Sequence, residues 1–530
     1  MYILSIDFGN SYIKIAIYNP NIRNAKSEYE KVIQRTGDIS EYTEGNLPSI
    51  VNLKQDSAYV GKTLSSKDYA VYHIKQHLTQ NVWIEYILPR QKNMDAVEII
   101  SEAYDYLYHA GKACFRADDD FQFDETVVTV PVTFSEMQKH RIREALKCIS
   151  GHTTIVPIIT EPFAGLFSCY PMLEEAFQKQ ERFHILVFDI GAGTLDMSIF
   201  QIDARANNPT ITTVVSRGIE LAGNYLTELI RSQWLNTNAS KDVIREAIQK
   251  ELDFIQAETG QNDKRNSEAV SGRINQLFNE EADKFKIALC SAPNTPADFI
   301  FMNQTLLKGK KYADFESLLN GTNIRRKIEE KLDEMLNIGV LDAKDITKIL
   351  AIGGTASIPY FRNMLSAKFP NAQFISPARN DNHNAVAVGA GVYRVFCNAE
   401  NRNFTLRDRV SYEIGVIENE SYLMIRSLYT WLGDKTNPVL VTPEREPETG
   451  IPIVKMYQRF ADSCTATHIP PMPDGLIYMG HFRLDANAFT AGIQYCMSLC
   501  LDKDGVLTGI FSDSPDMNPE TSDTLPLIFA

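Results

Sequence analysis

The sequence lacks any apolar run of the roughly 18 residues that a bilayer-spanning helix needs. Apolar stretches such as Ile185-Leu186-Val187-Phe188 have strand length instead. The opening Met1-Tyr2-Ile3-Leu4-Ser5-Ile6-Asp7 has no basic segment, no long apolar core and no small-residue cleavage site, which argues against secretion through a signal peptide. Cysteine is sparse: eight residues, scattered without paired spacing and without a zinc-type Cys-x-x-Cys. That suits reduced thiols in a cytoplasm better than a disulfide framework. Basic residues are in deficit, with 53 Lys and Arg against 67 Asp and Glu and a formal charge of −14. Neither nucleic acid nor an anionic membrane is therefore an expected partner. What is present is ordinary globular material, 44% hydrophobic and 23% charged. A chain of 530 residues exceeds one core, and a prior of about 150 residues per domain gives three or four folding units.

The strongest internal signal is a repeated strand-turn-strand unit. Tyr2 to Ile6 is apolar, Asp7-Phe8-Gly9-Asn10-Ser11 carries turn chemistry, and Tyr12 to Tyr18 alternates with period two. Much later, Ile185 to Phe188 precedes Asp189-Ile190-Gly191-Ala192-Gly193-Thr194, and Leu195 to Ile202 follows with Asp196 inside it. Two related lobes, each presenting an Asp-x-Gly hairpin to a shared cleft, fit this repeat.

Between the hairpins, Thr126 to Val130 reads as a buried strand and Ser135 with Gln138 as a capping box. A second strand is expected over Thr154 to Ile159, then a helix from Phe163. Helical periodicity dominates from about Gly223 to Ala288, and Lys348 to Ile352 forms another strand before Gly353-Gly354 and a helix near Pro359. Character changes near residue 398: a polar stretch gives way, from Val410, to short alternating segments. These are Tyr422 to Ile425, Ile453 to Tyr457, Gly480 to Leu484, Ile493 to Leu501 and Val506 to Phe511, an all-β module. Asp502-Lys503-Asp504-Gly505 would turn the last pair, and the tail holds Pro515, Pro519 and Pro526.

A bend with Asp-x-Gly places backbone N–H groups where they can hold phosphate oxygens. Taken singly, such a bend is most simply a solvated turn; its duplication argues otherwise. Asp7 and Asp189 would face the same polyphosphate, an arrangement that is repulsive unless a hydrated divalent cation lies between them, so Mg²⁺ held through water is implied. His73 and His77 have the spacing of metal ligands on a helix, without the carboxylate set that would complete a site. Tyr104-Asp105-Tyr106-Leu107-Tyr108 is most simply a helix packed on its lobe.

These motifs resemble the heat-shock protein 70 family, within the actin-like and sugar-kinase-like ATPases. Both phosphate bends match in order, as do Val130-Pro131-Val132-Thr133-Phe134, Glu161-Pro162-Phe163-Ala164-Gly165, Glu281-Ala282-Asp283-Lys284-Phe285-Lys286, Ile352-Gly353-Gly354-Thr355-Ala356-Ser357 and Ala385-Val386-Ala387-Val388-Gly389-Ala390. The resemblance implies an α/β actin-like ATPase unit of duplicated ribonuclease H-like lobes over residues 1–397, a linker over 398–409 and a peptide-binding β-sandwich over 410–530. It implies ATP and ADP as ligands and in-line attack of water on the γ-phosphate. Lys75 would neutralise developing charge, Glu161 would position the water, Thr194 would contact the terminal phosphate, and Asp7 and Asp189 would place Mg²⁺. Nucleotide-binding positions carried over in the same way are Gly9, Asn10, Ser11, Gly191, Ala192, Gly193, Gly223, Asp283, Lys286, Cys290, Gly353, Gly354 and Ser357. Partners implied are unfolded or extended polypeptide, a J-domain co-chaperone and a nucleotide-exchange factor.

The sequence also departs from that pattern. Ala192 replaces a glycine, at a cost of about 1 kcal/mol if that turn has positive φ. Ser357 stands where the family has an arginine over the base, and Cys290 where it has a serine. The linker segment Phe404-Thr405-Leu406-Arg407-Asp408 is mixed rather than strongly apolar, Lys139 replaces an arginine, and no helical lid is recognised after the last strand. These departures keep two alternatives in play: a weakly hydrolysing nucleotide-binding scaffold that docks a partner through its β module, and a sugar kinase with the same lobes.

Overall fold

The computed structural model describes residues 1–23, 25–35, 47–62, 68–79, 83–114, 121–156, 158–206, 208–259, 264–378, 381–398, 404–407, 413–418, 421–426, 434–459, 476–501, 507–513 and 523–529. The turn expected at 502–505, Pro515, Pro519 and Asp408 lie outside these residues.

Two sheets of one topology account for the sequence repeat. In the first, Thr154–Ile155, Glu125–Val130 and Ile3–Phe8 run parallel, and Tyr12–Tyr18 and Val32–Gln34 continue antiparallel. In the second, Gln373–Ile375, Ile346–Ile352 and Arg182–Ile190 run parallel, and Leu195–Asp203 and Thr210–Ile219 continue antiparallel. Ile3–Phe8 is buried along its whole length because helices cover both faces of a parallel sheet. The continuous strand expected over 154–159 is instead two short pieces, Thr154–Ile155 and Ile159–Thr160, both pairing with Glu125–Val130. Pro157 stands between them in sequence and has no N–H for an unbroken ladder.

Local signals set the helix starts. Ser135 and Gln138 form the expected reciprocal capping box on Glu136–Ala145. The helix expected from Phe163 begins two residues earlier, at Glu161, with Pro162 in its first turn. This Glu161–Phe167 helix and the Ala385–Asn398 helix cross between the two sheets. They share a core with Ile3 and Val127 of the first sheet and Ile185, Val187 and Leu350 of the second. Gly389 makes the crossing possible: a Cβ there would lie 1.9 Å from the Ala164 carbonyl oxygen. Each lobe has a further core on its outer side, including Tyr104 and Tyr108 of the Ala96–Ala113 helix in the first. In the second, the helices Gly223–Ile230, Asn238–Thr259 and Lys264–Ser291 contribute.

Thr405–Arg407 adds a parallel strand to Thr210–Ile219 at the edge of the second sheet. This segment is mixed rather than strongly apolar. Edge pairing is made by main-chain hydrogen bonds, however, and Phe404 supplies an anchor by packing on Phe177 and Phe396. Beyond it, Ser421–Arg426, Glu413–Glu418, Pro452–Arg459, Leu476–Arg483 and Ile528–Phe529 form one antiparallel sheet. Val439–Val441, Tyr495–Leu501, Leu507–Ser512 and Asp523–Pro526 form another. Val454, Met456 and Phe482 face Met497, Leu499 and Phe511 in a common core, which makes this unit a β-sandwich. It meets the first lobe where the fully buried Gln458 accepts a hydrogen bond through Oε1 from the Glu136 backbone N–H at 3.0 Å. Among the described residues no helix is long and apolar enough to cross a membrane.

The Gly389→Ala variant is expected to lose about 1–3 kcal/mol of stability, since its methyl group meets backbone that cannot rotate away. Thermal unfolding followed by circular dichroism measures this, and an unchanged midpoint would contradict the close helix crossing.

Candidate nucleotide site

The two Asp-x-Gly bends meet at the mouth of the interlobe cleft. Gly193 lies so close to Asn10 that a Cβ would sit 1.9 Å from the Asn10 amide nitrogen, and Asn10 Oδ1 is buried without a partner. A third loop closes in at Gly353, whose φ of +85° only glycine adopts freely and whose missing Cβ would fall 2.4 Å from the Ile190 carbonyl. Gly191 ties the loops together. Its carbonyl accepts from Gly223 N–H at 3.1 Å and from Thr355 Oγ1 at 2.7 Å, while Asn224 N–H donates to the Ala192 carbonyl at 2.7 Å. Ala192 itself is not among the residues with left-handed backbone, so the strain considered for this substitution does not arise.

Charged side chains from both lobes line the floor. Lys75, buried at the start of the Ile74–Thr79 turn, is 3.3 Å from Glu161 Oε1 and lies over the Phe134 ring. Asp7 ends the first strand, accepting from Thr129 Oγ1 at 3.4 Å and pairing with Lys14 Nζ at 3.2 Å. Asp189 faces Asp196 directly across the second hairpin. Asp196 Oδ1 accepts from Val132 N–H of the other lobe at 2.8 Å, and its Oδ2 is buried without a partner. The nearby Thr194 side chain favours the charged form of Asp196.

Burial dominates the titration of these acids. It pushes Glu161 up to about 7 despite Lys75, with Asp7 and Asp196 adding to the rise. Burial likewise raises Asp196 to about 6 and Asp189 well above the usual carboxylate range, where Glu161 and Asp196 add to the effect. Four carboxylates thus stand against the ammonium groups of Lys14 and Lys75. An anionic phosphate chain enters such a cleft only with added positive charge. Among the described residues no three His, Cys, Asp or Glu side chains converge on one point. Carboxylate oxygens suit a hard divalent cation such as Mg²⁺, and the orphaned Asp196 Oδ2 is an acceptor for it.

The remaining expected positions divide. Gly9, Ser11, Gly223, Gly353 and Gly354 belong to the converging loops, and Ser11 Oγ reaches Asn224 of the other lobe at 3.4 Å. Lys286 is turned inward, donating to the Gly223 carbonyl at 3.0 Å and Thr227 Oγ1 at 2.9 Å and pairing with Asp283. Cys290 is half-buried, its thiol pushed up to about 11 by burial. Ser357 is exposed and donates to the Gly354 carbonyl at 2.8 Å, capping its own turn. The His73–His77 pair does not form a ligand face, because His73 has a φ of 51° and precedes the turn that holds His77. Sequence reasoning missed Lys14 and the role of Asp196. Both were legible as the residues that pair across each hairpin with its bend aspartate. His383, whose ring lies against Gly354, was missed without any such signal.

A family-wide sequence profile described as Hsp70 protein matches residues 43–208 and 236–442, more than half of the chain. The chain belongs to the Hsp70 family. An Hsp70 relative from Thermoplasma volcanium, named chaperone protein DnaK, is 28% identical over 54% of this chain and 42% of its own length. One from Cyanidium caldarium, also named chaperone protein dnaK, is 26% identical over 55% of the chain and 42% of its own. A third, from Phaeodactylum tricornutum, is 25% identical over 78% of the chain and 59% of its own. The chain thus spans about two fifths of the length of the first two relatives. Hsp70 membership accounts for the twin lobes, the following sandwich and nucleotide as the ligand class.

Because the folded protein binds protons on Glu161, Asp189 and Asp196 that the unfolded chain has released by pH 5, its ligand-free stability is expected to fall as pH rises from about 4 to about 7. The Glu161→Gln variant should show a shallower fall in melting temperature across that window. Parallel profiles for the two proteins would contradict the buried-acid assignment.

Proposed function

We propose that this chain is an ATP-dependent molecular chaperone of the Hsp70 type, acting in the cytoplasm. In this reading residues 1–397 bind and hydrolyse ATP, 398–409 link, and 410–530 bind extended or unfolded polypeptide. The observation that carries it is the convergence of Asp7, Lys75, Glu161 and Asp189 from two lobes beneath the glycine loops. Glycine backbone at Gly9, Gly191, Gly193 and Gly353 lets the phosphate chain lie against N–H groups. Thr194 donates its hydroxyl to the terminal phosphate. Glu161 orients a water for in-line attack and accepts its proton, and a carboxyl near 7 is matched to that exchange. Lys75, fixed by Glu161 and Phe134, neutralises charge on the transferring group. Mg²⁺, held through water by Asp7 and Asp189, supplies the remaining positive charge when bound.

The sandwich offers the second half of the activity. Leu423 and Met424 are exposed on Ser421–Arg426, which pairs on one side only among the described residues, and Leu440 and Ile493 are exposed nearby in sequence to other strands. An unpaired strand edge with apolar side chains suits an extended peptide held by main-chain hydrogen bonds. A J-domain co-chaperone and a nucleotide-exchange factor are the partners this family membership suggests. The alternative, a scaffold that holds nucleotide and hydrolyses little, is favoured by one observation: Ser357 caps its own turn instead of offering a cation over the base.

Single-turnover hydrolysis separates the two readings. Lys75→Ala is expected to slow it by about 100-fold or more, and equal rates in variant and wild type would leave the scaffold. Fluorescence anisotropy of a labelled unfolded peptide is expected to show faster release with ATP than with ADP. Absence of binding in both states would remove the peptide-site assignment.

A further inference from the structure

The two hairpins occupy equivalent places in sheets that share five strands of one order, yet they are opposite in charge at one position. Across the second hairpin Asp189 pairs with Asp196; across the first, at the same distance from the bend, Asp7 pairs with Lys14. Lys14 is no surface residue. Its side chain is 17% exposed and its ammonium is 3.2 Å from Asp7 Oδ2. Asp189 and Glu161 both act on it electrostatically, and it acts in turn on His383, which lies against Gly354 of the third loop. Its ammonium therefore lies among the acids that the two lobes bring together. The first hairpin is neutral as a pair, whereas the second carries two buried carboxylates and an unpartnered acceptor, Asp196 Oδ2.

We propose that Lys14 is a polyphosphate-binding residue: anchored by Asp7, its ammonium contacts phosphate oxygens from the first lobe, beside the divalent cation that Asp7 and Asp189 hold through water. This rests on the nucleotide-binding reading above. The cleft then holds two ammonium groups of separate duty, Lys75 beside the water-positioning Glu161 and Lys14 beside Asp7. A resident cation on one side lowers the dependence of nucleotide binding on metal, because a charge-assisted contact persists when the metal is removed.

The test is titration of the full chain with a fluorescent ATP analogue, in Mg²⁺ and in EDTA. Wild type should retain measurable affinity in EDTA, and Lys14→Met should weaken that affinity about tenfold, the loss of one charge-assisted contact. Lys14→Met leaves Asp7 buried without its cation and can unfold the lobe, so the Asp7→Asn/Lys14→Met pair, of unchanged net charge, is measured beside it. Affinity in EDTA that stays about tenfold down in the double variant supports the contact. Recovery to the wild-type value would make Lys14 a structural counter-charge only and overturn the proposal. If wild type binds no nucleotide in either buffer, the nucleotide reading itself falls, and the role of Lys14 with it.

Discussion

Four carboxylates and two ammonium groups share a cleft between two lobes, most of them shielded from water. The surrounding architecture serves to bring them there. Asp7 and Asp189 end the leading strands of equivalent sheets, Glu161 opens the helix that crosses between those sheets, and Lys75 arrives on a turn from the first lobe. No single segment could hold such a group of charges together, since like charges at these separations repel by several kcal/mol in a low-dielectric setting. The shared helix-crossing core supplies the opposing free energy. That is why Gly389, remote from the chemistry in sequence, bears on the site: it lets the crossing helices approach until the acids face one another.

The same charge group explains the inequality of the lobes. Duplication yields one hairpin twice, but the copies have diverged at the residue paired with the bend aspartate. A carboxylate there makes an ion site, and a lysine makes a site for an anion. A cleft built of unlike halves presents a long anionic ligand with different chemistry at its two ends, which helps to fix the direction in which it lies.

Much of this was legible in the sequence, for identifiable reasons. Hairpins announce themselves through short-range alternation and glycine, and both phosphate bends, the capping box at Ser135 and the strand before Gly353 were readable on that basis. What escaped depended on contacts distant in sequence. That Thr405–Arg407 joins a sheet was not legible, because the addition rests on main-chain pairing with Thr210–Thr212 and not on side-chain character. Ala192 looked strained because the backbone angle of its turn cannot be known from residue type. The inward hydrogen bonds of Lys286 depend on where the Gly223–Ile230 helix begins in space. Lys14 was overlooked although its pairing followed from the hairpin register, because a lysine in an alternating strand ordinarily points to solvent.

The seam between Glu136 and Gln458 adds a mechanical property to this chemistry. Val132, which reaches Asp196 in the cleft, lies in the turn that leads into the helix whose first N–H is held by Gln458. The Gln458 amide spends only its oxygen on this bond; its Nε2, buried, has no acceptor. A half-satisfied buried amide adheres weakly, because desolvating the idle donor offsets much of the bond made by its other end. The sandwich therefore touches the lobe through a buried amide satisfied at one end only, on the helix that follows the turn after Pro131.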